Sequence, residues 1–355
     1  HDYVRPHPKP ESLQHLAGWV INHGIDGPGD QRAARDLLMR RPPRVSELGD
    51  EVLVRDGEDA QDAARRAVLA LDDSYLAIQG PPGSGKSTVG GRMIVDLVAA
   101  GKRVGVTANS HKVIGELLDK VANVANERGL PIVIGQRSGD DAPAYRDAIH
   151  LKNNDAARAG IADGSLNVVG GTGWLWARED MARSVDVLFI DEAGQMSFAD
   201  AVAASQCAAN LVLLGDPQQL DQPLQGTHPP GAERSALAHV LDGERVMPDH
   251  LGLFLNGTWR LHPRISAYTS EVFYEGRLHS HPGRERHAVE GEPPIDESGV
   301  RFIAVPHEGH SSDSPEEVAA IAEQLRRLLG NNPTWIDADA VTRPLTQEDV
   351  LIITP

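Results

Sequence analysis

Eight residues, Gly80-Pro81-Pro82-Gly83-Ser84-Gly85-Lys86-Ser87, fit the pattern G-x-x-x-x-G-K-[ST]. They stand between an apolar run, Tyr75–Gln79, and a helical run from Thr88 to Ala100. Few architectures house such a junction. The loop has to curl its backbone N–H groups around an anion at the start of a helix, and the strand that feeds it belongs in a covered parallel sheet. The neighbouring sequence agrees. Arg103–Thr107, Asn167–Val169, Val185–Ile190 and Leu211–Leu214 are apolar runs too short for helices and are separated by helix-length segments. That alternation predicts an α/β fold with a parallel sheet wrapped by crossovers.

Organisation along the chain follows from the same pattern. Residues 1–60 read as a short helical N-terminal segment or linker, with Leu13, Leu16, Val20 and Ile21 at helical spacing and turns at Gly27-Pro28-Gly29 and Pro42-Pro43. Residues 61–245 form the expected first domain, within which the polar stretch 121–166 is read as an inserted lobe. A second alternation starts near 246: strand Leu251–Leu255, helix Ile265–Tyr274, strand Val300–Val305, helix Ser314–Leu329 and strand Asp349–Thr354. Residues 246–355 are therefore expected to be the start of a second α/β domain, incomplete because the chain stops just after a strand. With His1 in first place, the chain is read as a fragment.

Composition excludes several classes. The net charge of −17 over 355 residues argues against duplex binding by bulk charge, and by sixties only residues 61–120, with eight basic against six acidic residues, are net positive. Cys207 is the single cysteine, which rules out an internal disulfide or a cysteine zinc finger and points to a reducing, cytoplasmic compartment. No apolar stretch approaches the roughly 18 residues of a membrane span. The pairs His279/His281 and His307/His310 lack a third ligand at metal-site spacing, so no metal is expected there, and no G-x-S-x-G string supports a serine hydrolase.

The chemistry concentrates in two strings. Lys86 is suited to the β and γ phosphates of a nucleoside triphosphate and the Ser87 hydroxyl to Mg²⁺, with Thr88 completing the turn. Then, 105 residues beyond Lys86, Val187-Leu188-Phe189-Ile190 runs into Asp191-Glu192, four apolar residues and two acids. This order places Asp191 as the second metal partner and Glu192 as the general base that polarises the attacking water.

With Asp191-Glu192-Ala193-Gly194-Gln195, Gly215-Asp216-Pro217-Gln218-Gln219-Leu220 and Thr258-Trp259-Arg260-Leu261-His262-Pro263, the chain from about Gln61 to Pro355 resembles superfamily 1 helicases. The closest resemblance is to the 5′-to-3′ branch that contains the nonsense-mediated-decay helicase and the Okazaki-fragment helicase–nuclease. It implies two RecA-like lobes with parallel sheets, the second incomplete here. It also implies ATP and Mg²⁺ as cofactors, and travel along single-stranded nucleic acid, DNA favoured over RNA. By this resemblance Gln61 reads adenine, Gly80 to Thr88 bind the triphosphate, Gln219 senses the γ-phosphate, and Arg260 is an arginine finger supplied by the second lobe.

Asn109 and Ser110, in Thr107-Ala108-Asn109-Ser110-His111, occupy the motif Ia position, where the family more often shows Ala-Pro-Ser-Asn. Thr172, in Gly170-Gly171-Thr172, occupies Ib; all three are expected to touch strand phosphates. Trp174 and Trp176 are weighed equally as base-stacking faces and as core. Motifs V and VI and the family's N-terminal barrel are not evident. Bacterial relatives often carry a RecB-like nuclease upstream, but its carboxylate–lysine core is absent from this sequence, so no nuclease activity is inferred. An RNA translocase, a nucleotide-gated binding scaffold without unwinding, and a P-loop kinase stand as alternatives.

Overall fold

The structure, a computed structural model, describes residues 7–46, 53–139, 145, 147–220, 231–290, 298–310, 313–330 and 332–353. The chain divides into two compact units, His1–Asn256 and Gly257–Pro355.

The first unit contains helices α1 (Lys9–His23), α2 (Arg32–Leu38) and α3 (Ala60–Leu69), strand β1 (Tyr75–Gln79), α4 (Lys86–Ala99), β2 (Val104–Thr107), α5 (His111–Glu127), β3 (Ile134–Gln136) and β4 (Ile149–His150). It continues with α6 (Asn154–Ala162), β5 (Val168–Gly170), α7 (Gly173–Trp176), β6 (Val185–Ile190), α8 (Phe198–Ala204), β7 (Ala208–Gly215), α9 (Ala236–Leu241) and β8 (Gly252–Phe254). The eight strands form one sheet in the order β4-β3-β5-β2-β6-β7-β1-β8, and each pair in it is parallel. Both faces are covered, which explains why β1 and β6 read as continuous rather than alternating apolar runs. Leu76, Ile78, Phe189, Ile190, Leu213 and Leu214 are fully buried, each side chain contributing about 1.5–3 kcal/mol by leaving water.

Three expectations about organisation change. Leu251–Leu255 does not open a second domain: β8 adds to the first sheet, pairing Ala77 with Gly252 and Gln79 with Phe254, and Leu253 and Leu255 join the first core. Gly252 permits this docking, because a Cβ there would come 2.3 Å from the Ala77 carbonyl oxygen. The units therefore part at Asn256/Gly257 and not between residues 245 and 246. Residues 121–166 are not an inserted lobe either. Helix α5 runs on to Glu127, and β3 and β4 extend the same sheet, with Ile134 paired to Val168. The described polar residues that break the pattern lie on the ends and exposed sides of α5 and α6 and in the loops around β3 and β4.

Among the described residues of the N-terminal segment, α1 and α2 are docked, which departs from the reading of a linker. The Ser12 hydroxyl donates to the Ala203 carbonyl at 2.7 Å, Lys9 pairs with Asp200 at 2.9 Å, and Leu16 packs with Ala34 and Val202. The buried Arg35 guanidinium donates to the carbonyls of Ile25 and Gly27, both at 2.7 Å, and so supplies the loop between α1 and α2 with hydrogen bonds its own backbone cannot make.

In the second unit β9 (Gly257–Thr258) pairs in parallel with β10 (His279–Ser280) around α10 (Pro263–Phe273). Strands β11 (Ala288–Glu290), β12 (Thr334–Ile336) and β13 (Thr342–Pro344) form an antiparallel sheet in that order, and α11 (Pro315–Leu329) precedes β12. The expected strands Val300–Val305 and Asp349–Thr354 are not paired in a ladder among the described residues. Residues 302–305 and 350–353 instead line a groove of about 680 Å³ along α11, with Phe302, Leu351 and Ile353 largely exposed. Thr354 and Pro355 lie outside the described residues.

Candidate nucleotide and nucleic-acid site

Because all strands of the first sheet run the same way, the loops after β1, β2, β5, β6 and β7 emerge at one edge, where open α/β sheets bind ligands. The glycine loop follows β1, and Gly80 N–H donates to the Gly215 carbonyl at 2.9 Å, tying the loop to the end of β7. Gly85, at φ 86°, is the N-cap of α4, a left-handed conformation that a Cβ would strain. Helix α4 therefore starts at Lys86, and the unpaired N–H groups of its first turn face the loop. The Lys86 ammonium donates to the Gly80 carbonyl at 3.1 Å.

Across the edge, Asp191 follows β6, two strands away from β1. It is buried, its backbone N–H donates to the Thr107 carbonyl at 2.8 Å, and its carboxylate accepts the Glu192 N–H at 2.9 Å. Burial above all, then the neighbouring Glu192, pushes the Asp191 carboxyl up to about 7, against a smaller opposing pull from Lys86. Glu192 is held at φ 51°, which costs a non-glycine residue about 1–3 kcal/mol and marks a corner whose geometry is enforced by its surroundings. The enforcement is visible: Ala193 N–H donates to the Leu214 carbonyl at 2.7 Å, and a Cβ on Gly194 would lie 2.5 Å from the Asp216 carbonyl oxygen.

The residues fit a bound triphosphate and its metal. The buried hydroxyls of Ser84 and Thr107 have no hydrogen-bond partner among the described residues, although orphaned buried polar groups are costly. Thr107 is paired with Ile190, one residue before Asp191, so an unsatisfied donor and a carboxyl disfavoured by burial lie at neighbouring strand ends. A cation with phosphate oxygens would relieve both.

Of the other expected residues, Gln219 is gathered into this edge: its side-chain amide donates to Asp216 at 3.3 Å. Asn109 is exposed just past β2, and the Ser110 hydroxyl caps α5 by accepting from Val113 N–H at 3.2 Å. Thr172 is the N-cap of α7 after β5, whose Gly170 pairs with Val106, so Asn109, Ser110 and Thr172 stand on adjacent strand ends. Trp176 proves to be core, fully buried with its indole N–H on the Gly171 carbonyl at 2.9 Å. Trp174 is 37% exposed, with the Lys9 ammonium 4.8 Å above its ring. Gln61 lies in the first turn of α3 and accepts from Arg92 of α4 at 3.2 Å.

Arg260 is in the second unit and is exposed. The buried Thr258 hydroxyl accepts from the N–H groups of Arg260 and Leu261, while His262 caps α10 and Pro263 starts it. This local wiring presents Trp259 and Arg260 on the turn before a helix, and Trp259 stacks on His281 at 3.7 Å between ring centres. His307 and His310 instead meet Glu317 and Glu316.

Two acids were given no role by the sequence reading. Asp216, almost fully buried, holds both Gln218 and Gln219; its signals were its place in the Gly215–Leu220 string and an acid directly after an apolar strand. Glu116 on α5 acts electrostatically on Asp191 and helps line a cavity of about 690 Å³ beside Ser87, with Lys112, Asp119, Lys120 and Tyr145; no motif marks it.

A glycine loop opening a helix beside one strand, and a buried aspartate ending the strand two places over, are the arrangement of RecA-like P-loop nucleotidases, and the first unit has that fold. Residues 57–228 match the AAA domain family. That match covers just under half of the chain, and the curated relatives to which the chain is similar are helicases.

It is 35% identical over 95 residues to the 5′-3′ DNA helicase ZGRF1 of Mus musculus, covering 26% of this chain and 5% of that protein. It is 24% identical over 255 residues to the DNA replication ATP-dependent helicase/nuclease dna2 of Schizosaccharomyces pombe, 69% of this chain and 18% of that one. The chain thus spans less than a fifth of either relative. Among solved structures, arterivirus nonstructural protein 10, a helicase in complex with DNA, aligns with a TM-score of 0.38 and 15% identity over 63% of this chain and 43% of that one. None of the described helices is long and apolar enough to cross a membrane.

Proposed function

We propose that the chain is the motor core of an ATP-driven translocase that moves 5′ to 3′ along single-stranded DNA and separates the complementary strand, acting in the cytoplasm. One observation carries this reading: the orphaned Ser84 hydroxyl and Lys86 of the glycine loop share an edge with a buried Asp191 and a conformationally enforced Glu192.

In this scheme the residues from Gly80 to Thr88 wrap the triphosphate, and Lys86 leaves the Gly80 carbonyl to neutralise the β and γ phosphates. Ser87 and Asp191 would hold Mg²⁺, which when bound would offset phosphate charge. Glu192 takes the proton of the attacking water, Gln219 contacts the γ-phosphate from its anchor on Asp216, and Arg260 is assigned the charge that develops on transfer. Gln61, whose carbonyl is engaged by Arg92, has its amide nitrogen to offer adenine. Asn109, Ser110 and Thr172 bind strand phosphates, and exposed Trp174 offers a stacking face, worth about 1–3 kcal/mol per base.

The test is ATP turnover of the full-length protein with and without matched single-stranded DNA and RNA, together with displacement of duplexes bearing a 5′ or a 3′ overhang. The expected result is turnover raised tenfold or more, on the order of 1.4 kcal/mol of barrier, by DNA and less by RNA, with displacement only from the 5′ overhang. Turnover indifferent to either strand overturns the reading, and a phosphorylated small-molecule product would establish a kinase in its place.

A further inference from the structure

Gln79 is the last residue of β1 and the residue immediately before the glycine loop, and its side chain is fully buried. A polar side chain so placed has to find partners inside the protein, and this one uses the amide in full. Its nitrogen donates to the Arg245 carbonyl at 3.0 Å and to the Asp216 carboxylate at 3.4 Å, while its oxygen accepts from Met247 N–H at 2.7 Å. Its backbone carbonyl accepts from Leu255 N–H at 2.9 Å.

Three segments meet on this residue. The first is the phosphate loop. The second is the Asp216–Gln219 turn, where the Asp216 carboxylate also accepts from Gln218 N–H and the Gln219 amide, and the Gln218 amide reaches the same Arg245 carbonyl at 3.2 Å. The third is the stretch from Arg245 through β8 to Leu255, two residues from Gly257, where the second unit begins. In the proposed scheme, a shift of the Gln219 turn on loss of the γ-phosphate would pull on Asp216, then on the Gln79 amide, and through it on the strand that continues into the second unit. An apolar residue of equal size fills the same space and transmits nothing.

We propose that Gln79 is a positioning residue that couples the phosphate-sensing turn to the strand entering the second unit, so that nucleic acid can accelerate ATP turnover. The proposal rests on the translocase reading above, and the test separates the two. In the full-length protein Gln79→Met keeps the volume and removes the amide. The expected result is an ATP KM within about threefold of wild type and a similar rate without nucleic acid, with the stimulation by single-stranded DNA reduced tenfold or more, in line with the roughly 10²-fold cost of an ångström-scale misplacement.

Gln218→Ala, at a half-exposed position that does not threaten folding, removes the second donor to Arg245. It is expected to lower stimulation about two- to fivefold, a fraction of the effect of Gln79→Met. Thermal melting monitors folding of both variants. Equal loss of basal and stimulated turnover in step with a lowered melting temperature identifies a merely structural role and overturns the proposal, as does undiminished stimulation in both variants. A wild type that DNA does not stimulate overturns the translocase reading itself.

Discussion

The glycine loop and the acidic corner lie at one sheet edge and, in the proposed scheme, serve one ligand, yet they are built from opposite physics. The loop is a local object: left-handed Gly85, the start of α4 and the Lys86–Gly80 contact span a handful of consecutive residues, and its binding groups are mostly backbone. The corner is a tertiary object. Asp191 is disfavoured by burial, Glu192 is held in a strained backbone conformation, and both are kept in place by Thr107, Leu214 and Asp216 from β2 and the end of β7. Affinity is therefore expected to reside in the loop and chemistry in the corner, with stability sacrificed at the corner.

Substitutions can break that division. The largest effect is expected from Glu192→Gln: ATP turnover down by about 10²–10⁴ with the dissociation constant within about threefold, read by steady-state rates and by fluorescent-nucleotide titration. Equal turnover in variant and wild type would remove the corner from catalysis.

Asp191→Asn is expected to raise the stability of the nucleotide-free, metal-free protein while abolishing hydrolysis. Between the carboxyl's unfolded value near 4 and its folded value of about 7, the folded chain retains a proton that the unfolded chain has released. Wild-type stability therefore falls as pH rises through that window and levels off above it. Urea titrations from pH ~5 to pH ~8 should show the wild type losing about 1–4 kcal/mol relative to the variant. A difference that does not change with pH would mean Asp191 is already satisfied within the protein.

In the loop, Lys86→Ala is expected to weaken ATP binding about 10–100-fold, the worth of a charge-assisted contact. A variant that binds as wild type but turns over slowly would move the lysine into the chemistry and erase the contrast. Smallest of all, Ser84→Ala removes a buried hydroxyl that lacks a partner. Thermal stability without nucleotide should be unchanged or rise by up to about 1 kcal/mol, while ATP affinity falls severalfold; a clear loss of stability would show that the hydroxyl is satisfied in the free protein.

Much of this was legible in the residues alone. Tyr75–Gln79 and Val185–Ile190 coincide with β1 and β6, because continuous apolar runs bounded by a glycine loop or by acids have few other uses. The helix expected over Ile265–Tyr274 is α10, Pro263–Phe273, which starts two residues earlier because His262 caps it and Pro263 fits its first turn. The strand Leu251–Leu255 was recognised but given to the wrong unit, since periodicity marks a strand without naming its partner. Similarly, the paired aromatics Trp174 and Trp176 could not be told apart by spacing, yet one is exposed and the other has its indole N–H satisfied at the heart of the unit.

Sequence by itself determined whatever depends on neighbours along the chain: the glycine loop, the helix it opens, the acids ending an apolar strand, and the caps. Only the tertiary structure decided that β8 completes the first sheet, that Asp191 is desolvated, and that Gln79 gathers Asp216, Arg245 and Met247 around one amide. Those outcomes rest on contacts between residues more than a hundred positions apart, or on removal from water by distant segments. Neither leaves a local mark in the order of the amino acids.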